Sequence, residues 1–119
     1  MSRPSVFHHE SMPVYHSACE ALVLLEQVAA ALPPFWEPLA RDQRAAGLGV
    51  IRALAEAGAR SGSLRVGLFR QAFRQAGEAE SALQVAVILQ LAPGAPVPEA
   101  SAAYRALGRS LRALVFGRR

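Results

Sequence analysis

Apolar side chains recur at Tyr15, Ala18, Leu22, Leu25, Ala29 and Leu32, in steps that alternate three and four residues. This is the spacing of a helix that turns one stripe toward its neighbours in a bundle. A second stripe runs beside it through Val14, Ala21, Leu24, Val28 and Ala31, leaving His16, Glu20 and Gln27 as a narrow polar strip. One stripe is enough to face a bundle core. The other predicts a contact with a second copy of the chain, because a monomer seldom exposes so long an apolar stripe. The same pattern returns at Ala100, Tyr104, Leu107, Leu111 and Leu114.

Three sets of breakers divide the chain: Pro33-Pro34, the Gly58 to Ser63 stretch, and the proline-rich run from Pro93 to Pro98. They predict four helices, over 13–32, 36–60, 64–91 and 98–116. Ser63 is placed to cap the third helix and Pro98 suits the first turn of the fourth. Residues 1–12 read as a flexible tail and 13–119 as one domain. The second helix is rich in small residues: Ala45, Ala46, Gly47, Gly49, Ala53, Ala55 and Ala57. Each glycine costs about 1 kcal/mol of helix propensity relative to alanine, so a close approach of neighbouring backbones is expected there. The run from Val85 to Leu89 is apolar on every side, which predicts a buried helix end. Short connections make consecutive helices antiparallel neighbours. The predicted fold is all-α, an antiparallel up-down-up-down four-helix bundle.

Composition agrees with that reading and adds charge. Ala and Leu dominate a chain of 119 residues that is 52% hydrophobic, while β-branched and aromatic residues are scarce. The formal net charge is +4, and all 13 basic residues are arginine. The guanidinium fork suits phosphate and carboxylate oxygens, so an anionic partner is compatible with the composition. A G- and C-rich genome also codes Arg and Ala in place of Lys, so arginine usage alone assigns no partner. Cys19 stands alone, which rules out an internal disulfide and fits a reducing, cytoplasmic setting. No stretch has the roughly 20 apolar residues of a membrane span.

In its second and third helices the chain resembles the four-helix-bundle family of 23S rRNA intervening-sequence proteins, which includes the accessory variability determinant (Avd) proteins of diversity-generating retroelements. The likeness begins at Leu32-Pro33 and continues through Leu39, Arg44 and Ala46. Leu54-Ala55-Glu56 stands where the family has Ile-Ala-Glu, and Arg60 matches the arginine that follows. Leu68-Phe69, Ala72, Glu78, Leu83 and Ala86 keep the apolar frame of the third helix. Asp42, Ala45, Ala53, Ala57 and Arg74-Gln75 depart from the polar pattern of the family. The resemblance implies a ring-shaped homopentamer with no enzymatic reaction. It also implies work beside a reverse transcriptase and contact with RNA or DNA through a basic surface.

The arginines supply the candidate binding residues. Arg105, Arg109 and Arg112 recur at i, i+4 and i+7, opposite the leucine stripe of the fourth helix. A second basic group, Arg41, Arg44, Arg52, Arg65, Arg70 and Arg74, spans helices two and three, with Arg44, Arg70 and Arg74 as its candidates. Each set also reads as a solvated face. Glu56 and Arg60 have the favourable order for an i,i+4 ion pair, worth roughly a few tenths of a kcal/mol. His8 and His9 are adjacent rather than at i,i+3 or i,i+4, and no acid or cysteine cluster joins them, so no metal is expected. Phe35 and Trp36 are expected to close the end of the core. No acid–base pair, nucleophile set or phosphate loop assembles from the sequence, so neither a cofactor nor a catalytic site is expected. Two functions follow: an oligomeric accessory protein that binds nucleic acid, or an oligomeric protein scaffold that does not.

Overall fold

A computed structural model of the chain describes His9 and residues 12–117. Four helices form: α1 (Pro13–Ala31), α2 (Glu37–Gly58), α3 (Gly62–Leu89) and α4 (Val97–Phe116). A 3₁₀ turn at Pro34–Trp36 leads into α2. Each helix packs on the next and α4 closes back on α1, giving the antiparallel four-helix bundle. The α1–α2 and α3–α4 connections lie at one end, here called the upper end. The α2–α3 connection lies at the lower end.

The local signals work largely as the sequence suggests. Pro13, Pro38 and Pro98 each sit in a first helical turn, where the missing amide costs nothing. Ser61, not Ser63, is the residue before α3, and its side chain makes no capping bond. Gly62 takes φ +60°, a left-handed turn that L-residues avoid, and this lets α3 start after a connection of only three residues. At the other end of α3, Gln90 is left-handed at φ 53°, and its amide reaches back to Ala86 and Val87.

The core is built from leucines spaced by alanines. Leu25, Leu54, Leu83, Leu107 and Leu111 are fully buried, with Ala21, Ala57, Ala72, Ala76 and Ala100 between them. Small side chains let the helices approach closely. Gly47 of α2 lies against Leu22 and under the Tyr104 hydroxyl; a Cβ there would stand 2.9 Å from Leu22 Cδ1 and 3.0 Å from Tyr104 Oη. Gly49 seats the side-chain amide of Gln75 from α3. Gln43 is fully buried and donates from Nε2 to the Ala82 carbonyl at 3.3 Å. Gln43 Oε1, Gln75 Oε1 and Tyr104 Oη have no hydrogen-bond partner among the described residues.

Several expectations are corrected here. The second stripe of α1 is core, not an interface between copies. Ala21 and Val28 are fully buried within one chain, Val14 is buried, and Leu24 packs partly against the same core. Only Ala31 is exposed. The reason is geometric: α1 sits in a corner between α2 and α4, so two neighbouring stripes each find a partner helix. The outer face of α1 is His16, Glu20, Val23, Gln27 and Ala30. At the upper end, Val87, Ile88 and Leu89 are exposed rather than buried, Ile88 by 74%. Ala86 in that last stretch of α3 and Ala92 in the loop after it are buried, while the three residues that end the helix stay uncovered. Phe35 is 85% exposed and meets Trp36 edge-to-face, so this pair does not close the core. At the lower end, Met12 is buried, and the His9 backbone lies against Gly58, where a Cβ would stand 2.6 Å from His9 Cβ. Packing therefore begins before residue 13. The rest of the expected tail, including His8, lies outside the described residues, as do Arg118 and Arg119.

Candidate functional site

The antiparallel pairing of α3 with α4 brings together two stretches that share a property. No Asp or Glu occurs between Glu56 and Glu78, and none follows Glu99. The lower half of α3 therefore has arginine as its only charge, at Arg65, Arg70 and Arg74, and so does α4 below its first turn, at Arg105, Arg109 and Arg112. Their register is fixed by contacts along the seam: Gln84 and Glu80 meet Ser101, Glu80 meets Arg105, and Phe73 meets Phe116. The acid-free halves thus lie side by side at the lower end.

The upper boundary of this surface is a polar clasp. Glu80 Oε1 accepts from Gln84 Nε2 at 3.0 Å, from Ser101 Oγ at 3.1 Å and from Arg105 Nε at 3.0 Å. Gln84 Nε2 also donates to Ser101 Oγ at 2.9 Å. Ser101 is buried and its hydroxyl is given to the carboxylate, so the group ties α3 to α4 rather than presenting a nucleophile. Arg105 is thereby neutralised where it stands. Arg109 and Arg112 form no ion pair among the described residues, and neither do Arg65 and Arg70.

Below the clasp runs a groove of about 320 Å³ between α3 and α4. Gly77 and Gly108 face it, and nothing lies within 4 Å of where either Cβ would stand. Arg105, Arg109 and Arg112 line it from α4, and Phe73 and Glu80 line it from α3, the Glu80–Arg105 pair standing at its upper end. Phe73 and Phe116 meet edge-to-face, with centroids 6.2 Å apart and an 85° interplanar angle. The Arg112 guanidinium carbon lies 5.9 Å from the Phe116 centroid, and Phe116 is 56% exposed. Around the base of α4, Arg109 also borders a second cleft with Arg65, Phe69, Met12 and Leu114. There Arg65 stands over the Phe69 ring and donates to Met12 Sδ at 3.5 Å.

The second predicted group is not brought together. Arg44 turns away from α3 and into the α1–α2 groove, where it grips Glu26 with two bonds of 2.9 Å and approaches Glu37 at 4.0 Å. The hydrogen bond from Arg44 holds the Glu26 carboxyl below its usual range. Arg74 faces the α2–α3 groove and stands 4.0 Å from Glu78, and Arg70 is exposed on α3. Glu56 and Arg60 form the expected i,i+4 pair at 3.8 Å, well exposed. Sequence reasoning missed Phe73, Gly77, Gly108 and Phe116. The signal for them was the absence of acid in two stretches that an antiparallel register sets side by side. Among the described residues no three His, Cys, Asp or Glu side chains gather to hold a metal ion, and no helix is long and apolar enough to cross a membrane. No family model matches the chain, and no curated protein matches it.

Proposed function

We propose that this protein is a non-catalytic accessory protein that binds nucleic acid through the acid-free faces of α3 and α4 and works as an assembly of identical chains. The observation that supports binding is the charge segregation. Arg109 and Arg112 line one groove and Arg109 borders a second cleft with Arg65; none of the three is ion-paired among the described residues, and the lower stretches of α3 and α4 that carry them hold no carboxylate. Such a surface attracts phosphates by charge and reads no sequence by itself. Support for assembly comes from large apolar side chains left on the outside of a single bundle, among them Val23, Phe35 and Ile88. A pentamer, and a reverse transcriptase as partner, follow from the resemblance to the intervening-sequence and Avd proteins. The neutralised state of Arg44 and Arg105 favours the second reading, a protein scaffold with a solvated basic face.

Binding of labelled RNA and DNA across a salt series separates the two. A binding surface gives a log–log slope of about −0.9 per phosphate neutralised on duplex and about −0.7 on single strands. Changing Arg105, Arg109 and Arg112 together to Ala makes that slope shallower by about two to three such increments. Glu80→Gln acts in the opposite direction, because it removes the one carboxylate that holds Arg105. Equal binding by wild type and both variants removes α4 from the reading. Light scattering that returns a monomer at micromolar concentration removes the assembly.

A further inference from the structure

We infer that the α3–α4 groove takes a single strand of nucleic acid in preference to a duplex, with Phe116 as its base-stacking platform; this deepens, and rests on, the function proposed above. Three observations point this way. The groove is a channel of about 320 Å³ along the seam of two packed helices, far smaller than a duplex. Its floor is open at Gly77 and Gly108, so a backbone can approach the helices closely. Its unpaired cations, Arg109 and Arg112, stand along the α4 side, and Phe73, which lines the α3 side, meets the ring of Phe116, itself more than half exposed.

The ring is what selects the strand. A duplex keeps its base faces stacked on one another and offers an aromatic side chain nothing to stack on. An unpaired strand offers every base face, whichever base it is. Phe73 meets Phe116 edge-to-face and Arg112 stands over the ring, yet Phe116 keeps more than half of its surface exposed and open to a base. This is the arrangement of single-strand binders, a cationic track ending on a stacking ring.

The test uses the full-length protein with fluorescein-labelled oligo(dT), oligo(U) and a duplex of the same length, read by anisotropy at fixed salt. Single strands should bind more tightly than duplex. Phe116→Leu keeps an apolar side chain at an exposed position and removes the π face. It should weaken single-strand binding about tenfold and leave duplex binding unchanged. Circular dichroism and the melting temperature of this variant should match wild type. As a direct readout, Phe116→Trp in a Trp36→Phe background should be quenched by oligo(dT) and not by duplex. Duplex binding equal to or tighter than single-strand binding overturns the inference alone, as does an unchanged Phe116→Leu variant. Failure of all three nucleic acids to bind at low salt overturns the proposed function with it.

Discussion

Tyr104 is the largest fully buried side chain of the bundle, and its hydroxyl has no partner among the described residues. Replacing it with phenylalanine removes that hydroxyl and little else. An unpaired buried hydroxyl costs roughly 1–3 kcal/mol of desolvation. Against this, the lost contact with Gly47 and a hydroxyl-sized void cost a few tenths of a kcal/mol. Tyr104→Phe should therefore stabilise the protein at pH 7 by about 1 kcal/mol, a rise of roughly 4 °C in Tm for a chain of this size. The pH dependence tests the same burial independently. Burial pushes the Tyr104 phenol well above its ordinary value. In the unfolded chain it ionises near pH 10 while the folded chain keeps its proton, so the unfolded state binds fewer protons and stability falls as pH rises above that point. The loss reaches about 1.4 kcal/mol by pH 11. Below pH 9 this contribution is flat. Urea melts of wild type and Tyr104→Phe at pH 7, 9, 10 and 11 should show a gap that widens only above pH 9. A variant clearly less stable than wild type at pH 7 would mean the hydroxyl is satisfied. A constant gap up to pH 11 would refute the burial argument.

Two further changes test the packing. Val28→Glu places a carboxylate at a fully buried position of α1 and should cost roughly 3–5 kcal/mol or unfold the chain, whereas Val23→Glu on the outer face should stay within about 0.5 kcal/mol of wild type by chemical denaturation. Equal tolerance of both would return the Val28 stripe to an interface between copies. The two glycines of α2 should respond with opposite signs. Gly49→Ala displaces only the flexible end of Gln75 and gains up to about 1 kcal/mol of helix propensity, while Gly47→Ala pushes on Leu22 and on the hydroxyl of the fully buried Tyr104 and loses about 1 kcal/mol, both read as shifts in Tm.

Much of the fold is written in the chain because its signals are local. Proline and glycine end helices by their own dihedral limits, so the Pro33-Pro34, Gly58–Ser63 and Pro93–Pro98 breaks fall close to the observed ends. The seams at Leu25 and Leu111 repeat with the helix itself, so their burial needs no knowledge of the partner. What faces each seam is a different matter. The sequence shows that α1 has two apolar stripes, but only the corner position between α2 and α4 decides that Val14, Ala21 and Val28 belong to one chain's core. Arginine spacing puts Arg105, Arg109 and Arg112 on one helix face because all three obey one period. It says nothing of Glu80, 25 residues away, which holds Arg105, or of Glu26, which draws Arg44 away from Arg70 and Arg74. The basic face itself arises from register. Two stretches without acid, remote in the chain, become one surface only when α3 and α4 run antiparallel, and charge acts through space rather than along the backbone.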